Sequence, residues 1–362
     1  MTDTLSNRHE FLFLYDIRMG NPNGDPDENR PRRLPDGTVY VTDVRLKRFV
    51  RDWLKTQGQS ILVDRPEDAA TNLTGRLQHF LNLNNTPEAL KEDVQEYLKS
   101  AASKSQKKAK AKKKGDEEDS NAESEAEVSS DNSSEPLGKK LVTIILKAFI
   151  DARLFGSSLA FKPVEGWTDV APRPKTLTGA VQINMGESKN KPQEVDIAGT
   201  SIFASSAEKT QGTFTTFYGL RYGLFAFNGL ANEHSARLSR LTDADYELLL
   251  TALWKSVSSS PTANTRSKAG QVPRLLVDVT YKSKSEFQYG CLLDYITVVP
   301  NTDILESDLA GPQDYKLDCS KLIERLSCSQ VESVRVAVHP DVQCTSALPA
   351  SWQKLDFDSM GA

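Results

Sequence analysis

The fold is decided by residues 11–54, which read, in order, FLFLYDIR, MGNPNGDPDENRPRRLPDGT, VYVTD and VRLKRFVRDWL. The first piece is rich in aromatic and aliphatic residues, which predicts a strand. The second is dense in Pro, Gly, Asn and Asp, which is typical of a turn-rich loop. A short extended piece then leads into a predicted helix that Thr42 or Asp43 can cap.

The predicted helix has an apolar face and a cationic face. Helical spacing places Arg48, Arg51 and Lys55 on the cationic face, with Arg45 and Lys47 beside them. Guanidinium groups about one turn apart suit successive phosphates of a nucleic-acid strand. A solvated cationic surface is the alternative. The segment therefore predicts a binding surface for a polyanion, which the rest of the chain has to support.

Length and composition exclude several classes of protein. The 362 residues allow one elaborated domain or two smaller ones. Because no apolar run approaches the ~20 residues of a membrane span, we expect a cytoplasmic protein without a membrane partner. The four cysteines and four histidines are scattered without metal-ligand spacing. They predict reduced thiols, no metal site and no cofactor.

The formal net charge of −4 is not that of a typical nucleic-acid-binding protein. Charge is nevertheless segregated, since residues 45–55 carry five basic side chains and one acidic one. Affinity for a polyanion follows the local neutralisation of phosphates, so the net charge excludes nothing. Residues 104–135 carry seven Lys and nine Asp or Glu and almost no apolar residue. We therefore expect 101–137 to be a disordered insertion.

The remaining pattern alternates strands and helices. It predicts helices from Pro87 onward, over 141–155, over 241–257 with Thr242 or Asp243 as cap, and near 319–327, and strands at 176–185, 216–230 and 273–281. Residues 186–212 are a polar excursion. Strand–helix–strand occurring twice predicts an α+β fold with a split βαβ, ferredoxin-like core. Its helices would cover one face of an antiparallel sheet.

A second candidate phosphate site is the loop 265–271, which reads TRSKAGQ. Arg266, Ser267, Lys268 and Gln271 supply cations, a hydroxyl and an amide, and a loop of this kind can wrap a phosphate. A polar connector between a helix and a strand is the alternative.

Two further patterns have structural explanations that we prefer. Asp16, Asp25, Asp27 and Asp43 surround the first loop and could hold a divalent metal for nuclease chemistry, but capping of turns is the commoner use of such residues. The strand FYGLRYGLFAF could stack bases on its aromatic rings, but its apolar density favours the core.

Six motifs follow one another in a recognisable order: NPNGDP, VTDVRLKRFVRDWL, IDARLFG, TGAVQ, QGTFTTFYGLRYGLFAFNGL and TRSKAGQVPRLLVDVTY. The series resembles the repeated backbone subunit of type I CRISPR effector complexes (Cascade), in the Csh/Csd-like version of subtype I-B. The resemblance covers about residues 10–300.

The resemblance implies a hand-shaped protein. We expect an RRM-like palm from 8–55, 137–182 and 216–300, a helical finger at 56–136, a protruding thumb at 183–215, and an extension of unclear role at 301–362. The helix with Lys47, Arg48 and Arg51 and the loop with Arg266, Lys268 and Gln271 would contact the guide backbone. Phe203 and Met185 in the thumb would displace a base.

The resemblance also implies a non-catalytic scaffold that polymerises head to tail along CRISPR RNA, while base pairing reads the target DNA. The expected partners are CRISPR RNA, target DNA, further copies of the chain, and the large, 5′-handle-capping and repeat-processing subunits. Two alternatives remain. One is a metal-dependent RNA-cleaving subunit using the first-loop aspartates, and the other is a monomeric RRM-like RNA-binding protein.

Overall fold

The computed structural model describes residues 4–65, 72–102, 135–159, 175–200 and 214–357. They fold as two compact units. The main unit comprises Met1–Gly58, Ala180–Arg237 and Leu241–Ala362, and the helical unit comprises Gln59–Gly179 and Leu238–Arg240. The helical unit is thus inserted in the chain after the first helix of the main unit.

The helices, in chain order, are α1 Asp43–Thr56, α2 Leu73–Leu81, α3 over 91–102, α4 Glu135–Ala148, α5 Ile150–Phe155, α6 Glu233–Ser239, α7 Asp243–Ser259 and α8 Ser320–Leu326. The strands are β1 His9–Gly20, β2 Tyr40–Val41, β3 Gly156–Leu159, β4 Lys175–Thr178, β5 Val181–Ile183, β6 Gly186–Ser188, β7 Glu194–Thr200, β8 Phe214–Ala231, β9 Val272–Tyr281, β10 Thr297–Pro300, β11 Tyr315–Asp318, β12 Val331–Val338 and β13 Gln353–Lys354. None of the described helices is long and apolar enough to span a membrane.

The main unit is built on one sheet in the order β13-β12-β9-β1-β8-β6-β2, with β5 and β7 also paired to β8. Strands β5 and β1 are both antiparallel to β8 and therefore parallel to each other. Strands β8 and β9 are parallel for the same reason, since both are antiparallel to β1. With α1 following β1 and α7 following β8, this is the predicted arrangement of two split βαβ units in an α+β fold.

The two faces of the sheet have different covers. On one face, α7 lies against β1 and β9, where the rings of His9 and Tyr246 are 4.4 Å apart and the Tyr246 hydroxyl donates to Asp278 at 2.7 Å. Helix α1 packs beside α7. Leu12 and Leu14 alternate to the opposite face. There they join a buried cluster with Leu292 and with side chains of residues 301–362, the C-terminal segment, among them Leu317 and Leu322.

The C-terminal segment is therefore part of the main unit's core. The sequence predicted an extension of unclear role at 301–362, but β12 pairs with β9 along its length and Leu317 is fully buried. Strands β11 and β13 have only four and two residues, so the sequence provided little indication that this segment belongs to the core. The predicted helix near 319–327 is confirmed as α8.

The helical unit is larger than the predicted finger. The sequence assigned 137–182 to the palm, whereas residues up to Gly179 group with the helical unit. The physical reason is packing, because Leu141, Ile145 and Phe149 join Leu77 and Phe80 in one buried cluster. The predicted disordered segment 101–137 lies largely outside the described residues, but both of its ends are helical, in α3 and α4.

Two predicted elements are each divided in the structure. The helix expected over 141–155 breaks at Phe149, where the backbone is extended. The strand expected over 176–185 splits into β4 and β5, which belong to different sheets. Gly179 explains the split, because an added Cβ there would lie 2.3 Å from the backbone nitrogen of Gly156. Only glycine permits this close approach of two backbones.

We expect Leu317→Ala to lower the free energy of unfolding by about 2–4 kcal/mol, because it opens a cavity in the core that the C-terminal segment shares with the sheet. Urea denaturation of the full chain measures the change. Val299→Ala, on the neighbouring strand at a side chain that is 42% exposed, is the matched control and should stay within about 0.5 kcal/mol. Equal, small effects of both substitutions would contradict the assignment of this segment to the core.

Candidate nucleic-acid interface

The first loop is held by its own asparagine and aspartate side chains. The Asn23 carboxamide oxygen accepts hydrogen bonds from the Thr42 backbone nitrogen at 3.0 Å and from the Thr42 hydroxyl at 2.7 Å. Thr42 in turn caps α1 by accepting from the Arg45 backbone nitrogen. Asn21 donates to the Asn29 carbonyl at 2.6 Å. The NPNG motif therefore fixes where α1 begins relative to the end of β1.

The aspartates of this region cap turns and form ion pairs. Asp25 accepts from the backbone nitrogens of residues 27, 28 and 29 at 3.1, 2.9 and 2.9 Å. Although desolvation acts to raise the pKa of the Asp25 carboxyl, these backbone donors lower it overall. Asp16 is buried and accepts from Arg274 at 2.7 Å, and Asp43 pairs with Lys47 at 2.9 Å. Within the described part of the chain, no group of three or more His, Cys, Asp or Glu side chains could hold a metal ion.

Two cations of α1 are neutralised within the helix. Lys47 lies 2.9 Å from Asp43, and its side chain is only 14% exposed. Arg48 lies 2.8 Å from Asp52, which also accepts from the Thr262 hydroxyl at 2.5 Å. Helical spacing of four residues explains both pairs. These ion pairs therefore partly neutralise the charges of Lys47 and Arg48 within the fold. Arg51 is half-buried and Lys55 is exposed.

Arg45 and Lys268 are brought together, and Asp52, which acts to raise the pKa of Arg45, does not offset the causes that lower it. Desolvation lowers the pKa of the Lys268 ammonium to about 8, and the charge of Arg45 contributes to this shift. Desolvation also lowers the pKa of Arg45, and Arg48 and Arg32 add to the effect. The Lys268 ammonium donates to the Ser267 hydroxyl at 3.2 Å. We refer to Arg32, Arg45 and Lys268 as the basic cluster.

The end of β1 positions the loop that carries Lys268. The Asn21 backbone nitrogen donates to the Ser267 carbonyl at 2.7 Å. A Cβ at Gly20 would lie 2.9 Å from the same carbonyl, so glycine is needed for this contact. Arg266 is exposed and Ser267 is half-buried. Two segments more than 200 residues apart in the sequence thus form one electropositive surface.

Gln271 lies inside the fold and not on this surface. It is 2% exposed, and its amide donates to the Val257 carbonyl at 3.2 Å. Met185 is 54% exposed between β5 and β6, and Phe203 lies outside the described residues. Phe225 and Phe227 of β8 are fully buried, so these aromatic residues belong to the core and do not stack bases.

Sequence reasoning missed Arg32. It lies in the proline-rich first loop, where its Nε donates to the Gly24 carbonyl at 3.1 Å and its charge acts on Arg45. The run PRR at 31–33 was the available signal. The surrounding turn residues predict only a loop, and the effect of Arg32 on Arg45 depends on the fold.

The sequence pattern of the family described as CRISPR-associated protein Cas7 matches residues 7–320. The chain belongs to the Cas7 family. The family resemblance drawn from the six motifs is thereby confirmed. Strand β12 lies beyond the matched range, although it completes the same sheet as the Cas7 segment.

Two individual comparisons agree with this membership. A Haloferax volcanii protein described as CRISPR-associated protein Cas7 is 32% identical over 337 residues, which cover 89% of this chain and 84% of that protein. A solved structure described as a CRISPR RNA-guided surveillance complex, pre-nicking, contains a chain with a TM-score of 0.52 and 15% identity, covering 98% of both chains. The second comparison shows the fold alone. This Cas7-family chain therefore has the mixed α+β fold of that structure.

We expect the Lys268 ammonium to titrate near pH 8 in the unliganded protein, as its pKa of about 8 indicates. Replacing Arg45 by Gln removes a neighbouring positive charge, so the pKa of Lys268 should rise toward its ordinary value. Side-chain NMR titration of selectively labelled lysine measures both values. Exposed Lys354 is the control and should not respond to Arg45→Gln. An unchanged Lys268 pKa in that variant would contradict the electrostatic coupling.

Proposed function

We propose that this protein is a non-catalytic, RNA-binding scaffold that polymerises along CRISPR RNA and forms the backbone of a type I-B Cascade complex. It would present the guide for pairing with target DNA in antiviral defence. Family membership gives the context. The basic cluster is the observation from this chain's own residues that carries the proposal.

Bringing Arg45 close to Lys268 costs free energy in the isolated protein. Both groups are partly desolvated, and the charge of Arg45 makes the ionised form of Lys268 less favourable. A phosphate group between them would remove this penalty, because an opposite charge favours the ionised forms. The arrangement therefore supports binding of a polyanion backbone. It reads no base identity, as is appropriate for a subunit that has to accept any guide sequence.

The two compact units suggest how the hand-shaped plan is distributed. The main unit would be the RRM-like palm, and the helical unit would contain the finger. The hairpin of β7 and β8, which pair from Glu194 with Leu220 to Thr200 with Phe214, would form the base of the thumb. Phe203, which lies outside the described residues, and Met185 remain predictions for base displacement.

The proposed partners are CRISPR RNA, the target DNA paired to it, further copies of this chain in head-to-tail contact, and the large, 5′-handle-capping and repeat-processing subunits. We place this assembly in the cytoplasm. A solved relative in fold comes from a structure described as a CRISPR RNA-guided surveillance complex, which supports the same kind of assembly here. A single protein copy on a long RNA, measured by particle sizing, would instead favour the monomeric alternative.

We expect Arg45→Ala combined with Lys268→Ala to abolish co-purification of guide RNA with the complex. In direct titrations of single-stranded RNA, the slope of log K against log salt should flatten by about 1.4, since each lost phosphate contact contributes about 0.7. The matched control is Arg237→Ala with Lys321→Ala, which removes two exposed cations elsewhere in the main unit. Sequencing of the co-purified RNA checks its class. Normal guide yield in the first variant would overturn the site assignment.

RNA affinity should also depend on pH through Lys268. Because only the protonated ammonium attracts phosphate, binding is full well below the pKa of about 8 and weakens as the pH rises through it. The loss should be at most about tenfold per pH unit. Lys268→Arg should remove this dependence, because a guanidinium stays charged throughout the range. Lys354→Arg is the control, and a dependence that survives Lys268→Arg would contradict the assignment.

The metal-dependent nuclease is the rival function. Asp25 caps a turn, Asp16 accepts from Arg274, and Asp43 forms an ion pair with Lys47. We therefore expect labelled complementary RNA to remain intact when it is incubated with the purified complex and Mg²⁺. Regularly spaced products that disappear in Asp25→Ala would overturn the non-catalytic assignment.

A further inference from the structure

A cleft of about 740 Å³ opens where β1 ends and β9 begins. Arg18 and Met19 line it from β1, and Arg274 lines it from β9. The wall opposite them consists of residues 310–313 and of Asp341 and Gln343 from the C-terminal segment. We call it the β1–β9 cleft. It lies within the main unit and is distinct from the basic cluster.

One nitrogen of Arg274 in this cleft has no protein acceptor among the described residues. Its side chain is 8% exposed. Its Nε donates to Asp16 at 2.7 Å, and its Nη1 donates to His339 at 3.0 Å and to Asp341 at 3.2 Å. Nη2 has no acceptor among the described residues, yet it is not sealed off from solvent. A nearly buried guanidinium whose Nη2 still has both N–H groups open is a site for an acceptor atom of a ligand.

The charges of the cleft balance. Arg18 and Arg274 are offset by Asp16 and Asp341, all of which line it. Desolvation and the charge of Arg274 lower the pKa of neighbouring His339, so the imidazole is neutral at pH 7. A balanced cleft does not attract phosphate as the basic cluster does. It suits a ligand that is polar but uncharged.

Two side-chain amides complete the lining. Gln313 and Gln343 are exposed to the cleft, and neither amide has a hydrogen-bond partner in the described part of the chain. Each offers a donor and an acceptor in fixed relation, as the edge of a base requires. Met19 and Pro312 add apolar surface for a flat face. A planar ring with a polar edge, which is a nucleobase, matches this combination.

The cleft is adjacent to the proposed path of the RNA backbone. Gly270 lines the cleft, and Lys268 of the basic cluster lies two residues earlier in the same loop. The hydrogen bond from Asn21 to the Ser267 carbonyl ties this loop to the end of β1, which carries Arg18 and Met19. The loop is thus a shared wall between the basic cluster and the cleft. A nucleotide whose phosphate lies at Lys268 has the cleft beside it.

We infer that the β1–β9 cleft receives one unstacked base of the RNA strand whose phosphates bind the basic cluster. This inference rests on the proposed function. Arg274 Nη2 donates to a ring nitrogen or exocyclic oxygen, and the two glutamine amides contact the remaining polar edge. Because amides can rotate to present either group, the cleft accepts different bases.

The test is photo-crosslinking of the full chain bound to single-stranded RNA that contains 4-thiouridine, followed by mass-spectrometric mapping. Cross-links should concentrate in peptides that contain Met19, residues 310–313 or residues 341–343. Gln313→Ala with Gln343→Ala should lower the yield in these peptides about fivefold, as expected for lost hydrogen bonds. Gln353→Ala, an exposed glutamine on β13, is the matched control and should leave the yield unchanged.

The outcomes separate this inference from the proposed function. If RNA binds with a steep salt dependence that Arg45→Ala with Lys268→Ala flattens, the proposed function stands. Cross-links confined to other peptides then overturn the cleft assignment alone. Such a result is also expected if a polypeptide, and not a base, occupies the cleft. Absence of salt-dependent RNA binding in the unmodified chain overturns both.

Discussion

The main unit depends on β1 being paired along both edges and covered on both faces. Its twelve residues run antiparallel to β8 on one side and to β9 on the other. A strand in this position has no free edge, so its end is fixed relative to β8 and β9. The first loop and the loop 265–270 both meet this end. The geometry of the basic cluster therefore follows from the pairing of a single strand.

Buried polar groups fix the register around β1. Glu10 accepts from the backbone nitrogens of Tyr289 at 2.8 Å and Gly290 at 2.7 Å and from the Tyr281 hydroxyl. Asp278 is fully buried and accepts from Arg335 of β12 at 2.7 Å. Removing one partner from such a pair leaves an uncompensated buried group, which costs about 3–5 kcal/mol. These contacts therefore specify how β1, β9 and the C-terminal segment meet, in addition to the apolar burial.

The surface chemistry follows from this arrangement. On a protein with a net charge of −4, Arg45 and Lys268 form a local basic surface, while Lys47 and Arg48 form ion pairs with acids of their own helix. The cleft beside Lys268 has balanced charge and open hydrogen-bonding groups. The loop 265–270 thus divides the surface proposed to bind phosphates from the cleft proposed to receive a base. Both proposals rest on the position of this one loop.

The sequence by itself determined β1, α1, β8, α7 and β9, the α+β class and the family, because long apolar runs, capping residues and ordered motifs are local signals. It also favoured turn capping over metal binding for Asp25, and the structure shows this capping. Only the tertiary structure decided that Arg45, and not Lys47, keeps its charge available, that Gln271 is buried, and that the C-terminal segment completes the core. Those properties depend on which distant residues meet, and the distances that control desolvation and ion pairing exist only after the chain has folded.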